Sequence, residues 1–347
     1  MYRLLRPLIW NLSPETAHNI AVVLIKHGIL NLYSCSLDKR LKVEVAGMDF
    51  ASPVGMAAGF DKNAEIYNQL FKIGFGFIEV GTVTPRPQYG NIKPRIFRLQ
   101  DDLGLINRLG FNNVGLTQFI SNFDENNRDL ESQRRVGINI GPNKDSKDRI
   151  KDFVDCLKEA EKKADYITVN ISSPNTPDLR DFESSKIVEL LSEIKINRET
   201  KTPIFVKVSP DLENSRISFV IETILKNNLS GLIVSNTSSS RDFKLKSSTS
   251  VEEGGLSGHP ILNLSNQKLA FAYSVTKGLI PLVGVGGISS GADVYKKIKL
   301  GANLVELYTS MIFEGPSLIS AINKELLYLM RIEGINNLSE VVGSIKE

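Results

Sequence analysis

Asn170-Ile171-Ser172-Ser173-Pro174-Asn175-Thr176-Pro177 gathers three hydroxyls, two carboxamides and two prolines into eight consecutive residues. The apolar run before it, Tyr166-Ile167-Thr168-Val169, reads as a buried strand, so the segment is a loop leaving a strand end. Proline fixes φ and supplies no N–H, which stiffens the loop. A carboxamide carries donor and acceptor side by side, so Asn170 and Asn175 suit a planar, amide-like ligand. Ser172 and Ser173 are candidate proton acceptors. A rigid polar loop directly after a strand is where an α/β enzyme holds its chemistry.

The elements that must position this loop repeat along the chain. From about residue 43 a short apolar strand alternates with a longer amphipathic segment. The predicted strands span residues 54–58, 77–81, 136–140, 166–171, 204–208, 231–235, 281–285 and 304–308. Each is mostly apolar on successive residues, as strands buried on both faces must be. Helices are predicted over 64–73, 115–122, 150–163, 185–195, 212–227, 265–277 and 292–300. Eight such units make an α/β chain of the (β/α)8 TIM-barrel class, with residues 43–347 as the barrel; a doubly wound sheet is the alternative. Residues 1–42 read differently. Leu4, Leu5, Leu8, Ile9 and Leu12 share one helical face, and Ser13-Pro14 caps and starts a second helix. Ala17, Ile20, Ala21, Leu24 and Ile25 form that helix's apolar stripe, and Gly28 stops it. This small amphipathic hairpin carries Arg3, Arg6 and Lys26. It either caps the barrel or dips its apolar face into a membrane.

A barrel keeps its site at the C-terminal ends of its strands. Those ends here are Ala58-Gly59-Phe60-Asp61-Lys62-Asn63, Gly81-Thr82, Asn139, the Asn170 loop, Lys207 with Ser209, Ser235-Asn236-Thr237, Gly286-Gly287 and Tyr308-Thr309. Gly286-Gly287, read as opening a helix, exposes backbone N–H groups to an anion, although such a pair alone is as readily a tight turn. With the Tyr308-Thr309 hydroxyls at the next strand it favours a phosphate-bearing ligand. Lys62 and Lys207 at a barrel mouth need an anion, unless they snorkel to solvent. Together with Asn107, Asn139, Asn170, Asn175 and Asn236 they fit a ligand rich in carbonyl oxygens and bearing a carboxylate. Asn236-Thr237 equally suits an Asx turn. The long insertion over residues 85–115, with Lys93 to Arg98 and Asn107 to Asn113, suits a substrate-covering element.

Composition narrows the rest. Of 347 residues, 41% are hydrophobic and 23% charged, an ordinary globular balance. A net charge of +3 gives no case for nucleic acid. Two cysteines, Cys35 and Cys156, lie far apart, which supports neither a disulfide framework nor a metal site. No run is apolar and long enough to span a bilayer, and no secretory signal is evident.

With these residues in place, the chain resembles the dihydroorotate dehydrogenases, and within them the quinone-dependent, membrane-associated class (class 2). The resemblance runs over essentially the whole chain. It rests on Ala57-Ala58-Gly59-Phe60-Asp61-Lys62, Glu79-Val80-Gly81-Thr82-Val83-Thr84-Pro85, Asn107-Arg108-Leu109-Gly110-Phe111-Asn112-Asn113 and Asn170-Ile171-Ser172-Ser173-Pro174-Asn175-Thr176, with Gly255-Leu256-Ser257-Gly258 and Gly284-Val285-Gly286-Gly287-Ile288. It implies FMN, its phosphate held by Gly258, Gly286, Gly287, Tyr308 and Thr309. The flavin ring would lie near Ala58, Gly59, Thr82, Asn139, Asn170, Lys207 and Ser235. Dihydroorotate would meet Lys62, Asn107, Arg108, Leu109, Gly110, Phe111, Asn170, Asn175, Asn236 and Thr237. Ser173 would be the base; the soluble class uses cysteine. Departures are small: Ser235 stands in place of threonine, and Asp178 and His259 replace commoner neighbours.

The implied reaction oxidises (S)-dihydroorotate to orotate in pyrimidine (UMP) biosynthesis, with a proton to Ser173 and a hydride to FMN. No cysteine cluster for an iron–sulfur partner and no dinucleotide fingerprint is present, which leaves a lipid quinone as oxidant of the reduced flavin. The hairpin would then form an apolar tunnel from membrane to flavin, with His18, Arg98 and Tyr308 meeting the quinone. A hairpin so near the start of the sequence suggests a peripheral protein on the cytoplasmic face of a bacterial inner membrane. Rival readings are the soluble class using fumarate or NAD, a non-flavin phosphate-binding barrel isomerase or aldolase, and a non-enzymatic membrane-docking barrel.

Overall fold

A computed structural model of the chain describes residues 2–127, 134–172 and 184–345. In chain order the strands are β1 (Val43–Val45), β2 (Met48–Phe50), β3 (Val54–Met56), β4 (Phe77–Val83), β5 (Ile96–Leu99), β6 (Gly104–Asn107), β7 (Arg135–Ile140), β8 (Tyr166–Asn170), β9 (Ile204–Val208), β10 (Gly231–Val234), β11 (Gly255–Gly258), β12 (Leu282–Val285) and β13 (Leu304–Leu307). The helices are α1 (Tyr2–Trp10), α2 (Pro14–Lys26), α3 (Tyr67–Leu70), α4 (Leu116–Asn127), α5 (Arg149–Ala160), α6 (Ser184–Asn197), α7 (Asn214–Lys226), α8 (Leu262–Thr276), α9 (Gly291–Lys299), α10 (Thr309–Glu314) and α11 (Ser317–Glu333).

The eight predicted strands are β3, β4, β7, β8, β9, β10, β12 and β13, and they close into one parallel barrel in that order. Their interior is layered. Register sets Gly55 beside Phe77, Gly137 beside Tyr166 and Phe205 beside Gly231. A Cβ on those glycines would sit 2.4, 2.1 and 2.6 Å from the facing rings. Each glycine therefore makes room for an aromatic ring, and Phe50 of β2 closes this end edge-on to Phe77. Side chains two residues on point the same way. Those are Glu79, Asn139, Thr168 and Lys207, a polar layer lying on an aromatic floor.

Several features depart from the sequence reading, which predicts neither the β1–β2 pair nor α10 and α11. The insertion over 85–115 contains β5 and β6, which pair antiparallel with each other and with β11 from far along the chain. Predicted helix 64–73 is only the short α3 and a following 3-10 turn over Phe71–Ile73. The N-terminal hairpin forms as its caps require: the Ser13 hydroxyl accepts from the Thr16 N–H, and Gly28 takes φ +86°. Arg6 donates to the Phe313 carbonyl, Arg98 to that of Leu12, and Arg95 to the Glu15 carboxylate, which lash the hairpin beside β5 and α10. Its outer face keeps Leu4, Leu8 and Val23 82%, 68% and 53% exposed. No helix among the described residues is long and apolar enough to cross a membrane.

Candidate active site

One cavity opens at the C-terminal rim of the barrel, with about 1470 Å³ of empty space including its mouth. Of the residues assigned to a flavin, Ala58, Gly59, Thr82, Asn170, Lys207, Ser235, Gly258, Gly286, Gly287, Tyr308 and Thr309 line it. So do Lys62, Asn107, Leu109, Gly110, Phe111, Asn236 and Thr237 from the substrate set. Ser173 and Asn175 lie outside the described residues, as does Asp178. Asn139 is not on the wall but holds groups that are. Arg108 turns away, its guanidinium on Glu252 at 2.7 Å and over the Phe97 ring.

The polar floor is locked by its own hydrogen bonds. The Thr82 hydroxyl donates to Asn139 Oδ1 at 2.6 Å, and Asn139 Nδ2 donates to Glu79 Oε1 at 2.8 Å. Asn170 Nδ2 reaches Asn139 Oδ1 at 3.2 Å and Thr82 Oγ1 at 3.3 Å. Its Oδ1 accepts from the Ser172 hydroxyl at 2.9 Å, and Asn236 Nδ2 donates to Ser172 Oγ at 2.9 Å. Such a network fixes which edge of each amide faces the cavity. Ser172 is buried and bonded into this wall.

Below it, Lys207 Nζ lies 3.2 Å from Glu79 and 3.1 Å from Glu306, all three buried. The partners that the Lys207 position demands are thus supplied from inside the barrel. Burial works against the Lys207 charge, but Glu306 and Glu79 outweigh it and raise its pKa. Glu79 also accepts from Thr168 at 2.6 Å, so both its oxygens are satisfied. Glu306 is different: its Oε1 is buried without a partner. Burial first, and the neighbouring Glu79 next, push Glu306 up to about 8 against the pull of Lys207. The balance therefore favours the protonated form of Glu306 well above the ordinary carboxylate range. Neither glutamate was assigned a role from sequence, although an acid within a strand buried on both faces is itself a signal.

At the other end sits a glycine cradle. Gly258, Gly286 and Gly287 take φ of +92°, +121° and +76°. A Cβ on Gly287 would lie 2.5 Å from Leu262 Cβ, and one on Gly258 2.4 Å from the Leu103 carbonyl. Only glycine lets the chain pass there. Thr309 and Ser257 bring hydroxyls 2.9 Å apart, and the buried Ser310 hydroxyl has no partner. The sequence reading needs correction here: Gly286-Gly287 does not open α9. That helix starts at Gly291, capped by Ser290, with Asp293 accepting the Ser289 N–H. The start of α8 is what packs on Gly287.

These observations fit FMN. A Cβ on Gly59 would meet no atom within 4 Å and would fill cavity space instead. The unpartnered Glu306 Oε1 and Ser310 hydroxyl belong to residues of the same wall. Donors at the floor and bare backbone with hydroxyls at the far end match a heteroaromatic ring carrying a phosphate.

The rim holds two further groups. Lys62 donates to the Gly59 carbonyl at 2.6 Å, and its neighbour Asp61 accepts the Glu65 and Ile66 N–H groups, each at 2.8 Å. Burial lowers Lys62 to about 8, with Glu15 opposing. Toward the hairpin, Phe60 meets His18 edge-on at 5.4 Å and Tyr308 at 5.8 Å. Burial, with Lys62, holds His18 down at about 3, so it is neutral. Burial raises Tyr308 to about 12. His18 and Arg98 do not line the cavity itself; the buried Arg98 Nε has no partner.

Comparison with known proteins gives one answer. The model of the Dihydroorotate dehydrogenase family matches residues 40–330. A protein of Azorhizobium caulinodans named Dihydroorotate dehydrogenase (quinone) is 41% identical, over 99% of this chain and 99% of its own. A protein of the same name from Bartonella tribocorum is 44% identical over 96% and 94%. The crystal structure of an Eimeria tenella DHODH in complex with ferulenol superposes with a TM-score of 0.91 at 37% identity, over 97% of this chain and 98% of that one.

Proposed function

The chain belongs to the dihydroorotate dehydrogenase family, on its quinone-dependent branch, and we propose that it oxidises (S)-dihydroorotate to orotate and delivers the electrons to a membrane quinone. One observation carries the reading. Groups suited to a flavin and groups suited to a small cyclic amide bearing a carboxylate share one cavity, and its rim lies beside an amphipathic hairpin.

FMN, when bound, supplies the hydride acceptor and passes two electrons on to the quinone. The chain's own residues do the rest. Asn107, Asn170, Asn175 and Asn236 hold the ring amides of dihydroorotate, and Lys62 meets its carboxylate. Ser173 takes the proton from the ring carbon beside the carbonyl, which a serine hydroxyl can do only in a dry pocket with an onward acceptor. Lys207 places positive charge where negative charge develops, held there by Glu79 and Glu306. Neutral His18, with Tyr308 and Arg98, offers hydrogen bonds to quinone oxygens at the hairpin end. Residues 1–42 form the quinone tunnel and 43–347 the catalytic barrel, and the exposed leucines of the hairpin rest the protein peripherally on the cytoplasmic face of a bacterial inner membrane.

The Ser173→Ala variant tests the base. Bound FMN should be retained while its single-turnover reduction by dihydroorotate slows severely. An unchanged rate would remove Ser173 from the role.

A further inference from the structure

Lys297 is fully buried, and among the described residues no carboxylate is bonded to it. Its Nζ donates to Ser265 Oγ at 2.7 Å and to Asn266 Oδ1 at 2.8 Å, both on α8. Its stem packs beneath β12, where a Cβ on Gly284 would come within 3.2 Å of its Cδ. A buried ammonium served only by neutral acceptors is costly. Such a group either loses its proton or keeps it against a further anion.

The geometry shows where that anion would sit. Ser265 Oγ, having accepted from Lys297, has its one proton within reach of two carbonyls, Leu262 at 2.9 Å on its own helix and Gly286 at 3.0 Å, so the hydroxyl couples the ammonium to the glycine pair when it turns to Gly286. Gly286–Gly287 is a trans peptide, so the Gly287 N–H points opposite to that carbonyl. The carbonyl end of the peptide dipole lies on the Ser265 side and the N–H end on the opposite side, and both glycines line the cavity. Charge on Lys297 polarises the peptide in the sense that strengthens its N–H as a donor to an anion. Among the described residues the cradle otherwise has no dedicated cation. Lys207 is occupied by two glutamates, Lys62 sits at the substrate rim, and α9 begins beyond the glycine pair with its own cap.

We propose that Lys297 is the buried counter-charge of the phosphate cradle, a positioning residue that acts through Ser265 and the Gly286–Gly287 peptide on a phosphomonoester ligand. This rests on the flavin reading above and extends it to how the phosphate is discriminated. Burial lowers Lys297 to about 7, with Asp293 opposing and Lys296 reinforcing on its own helix. Among the described residues the groups bonded at this point are neutral, Ser265 and Asn266 of α8 with Gly284 of β12 against the stem, while the carboxylates that α11 brings to α9 are bound elsewhere, Glu325 on the Gly291 N–H and Glu333 on Tyr295 and Lys299. A phosphate would restore the lysine's proton, so at pH 8 its binding takes a proton up.

The test titrates FMN and riboflavin, which lacks the phosphate, into flavin-stripped wild-type protein and Lys297→Met, following flavin fluorescence. The expected result is an FMN dissociation constant raised at least about tenfold in the variant, with riboflavin affinity unchanged. Equal weakening of both flavins, or of neither, overturns the inference. Wild-type protein that binds riboflavin as tightly as FMN, or binds neither, overturns the cofactor reading as well. Should Lys297→Met fail to fold, wild-type protein is titrated calorimetrically at pH 8 in two buffers of different ionisation enthalpy. His259→Asn serves as control for the imidazole that lines the same cavity. Proton uptake with FMN but not riboflavin, kept in the control, supports Lys297; no uptake, or uptake lost in the control, refutes it.

Discussion

Replacing Glu306 by glutamine isolates the buried acid layer beneath the cavity. Glutamine keeps the shape and an acceptor for Lys207 but carries no titratable proton. In the folded protein Glu306 holds its proton up to about 8, against 4.5 for an exposed glutamate. Between those values the folded state binds more protons than the unfolded chain, so this group costs stability as pH rises through the window. The cost relative to glutamine is on the order of 1 kcal/mol at pH 5.5 and on the order of 4 kcal/mol at pH 8, since each pKa unit is worth about 1.4 kcal/mol. Urea unfolding of wild type and Glu306→Gln at both pH values measures the gap directly. The variant should be the more stable at pH 8, with an advantage that shrinks by roughly 3 kcal/mol at pH 5.5. A gap that stays constant with pH would refute the reasoning, because Glu306 would then be ionised throughout and the Lys207 layer would carry a net negative charge.

The rim lysine and the hairpin give further checks. Lys62, lowered to about 8, loses its charge as pH rises through that value, so orotate affinity should fall about tenfold per pH unit above it; binding that is level from pH 7 to 10 would rule out a charged Lys62 at the carboxylate. Deleting residues 1–40 should abolish quinone reduction and sedimentation with lipid vesicles while leaving flavin reduction by dihydroorotate intact. Full quinone turnover by the truncated protein would contradict the tunnel.

The eight barrel strands were legible because a strand buried on both faces is mostly apolar on successive residues, as in Gly231–Val234. The hairpin was legible from Ser13-Pro14 and Gly28, local caps that need no tertiary context. The β5–β6–β11 sheet was not. Its strands have four residues each, and β11 arrives about 150 positions after β6, so nothing local announces the pairing. The pairing of Gly55, Gly137 and Gly231 with facing rings is likewise a matter of register. Lys207 was placed correctly at the cavity, but its partners Glu79 and Glu306 come from strands on other sides of the barrel, and only closure of the barrel brings them together. The helix expected directly at Gly286-Gly287 failed for a related reason: Ser290 and Asp293 start α9 four residues later, and the helix that packs on the pair, α8, precedes it in the chain.

Anaerobic addition of dihydroorotate to the purified protein, followed by a short-chain quinone, tests the central claim most directly. The flavin absorbance should bleach in one turnover and return when the quinone is added. A protein that purifies without flavin and cannot be reconstituted with FMN, or whose bound flavin ignores dihydroorotate, would contradict the account.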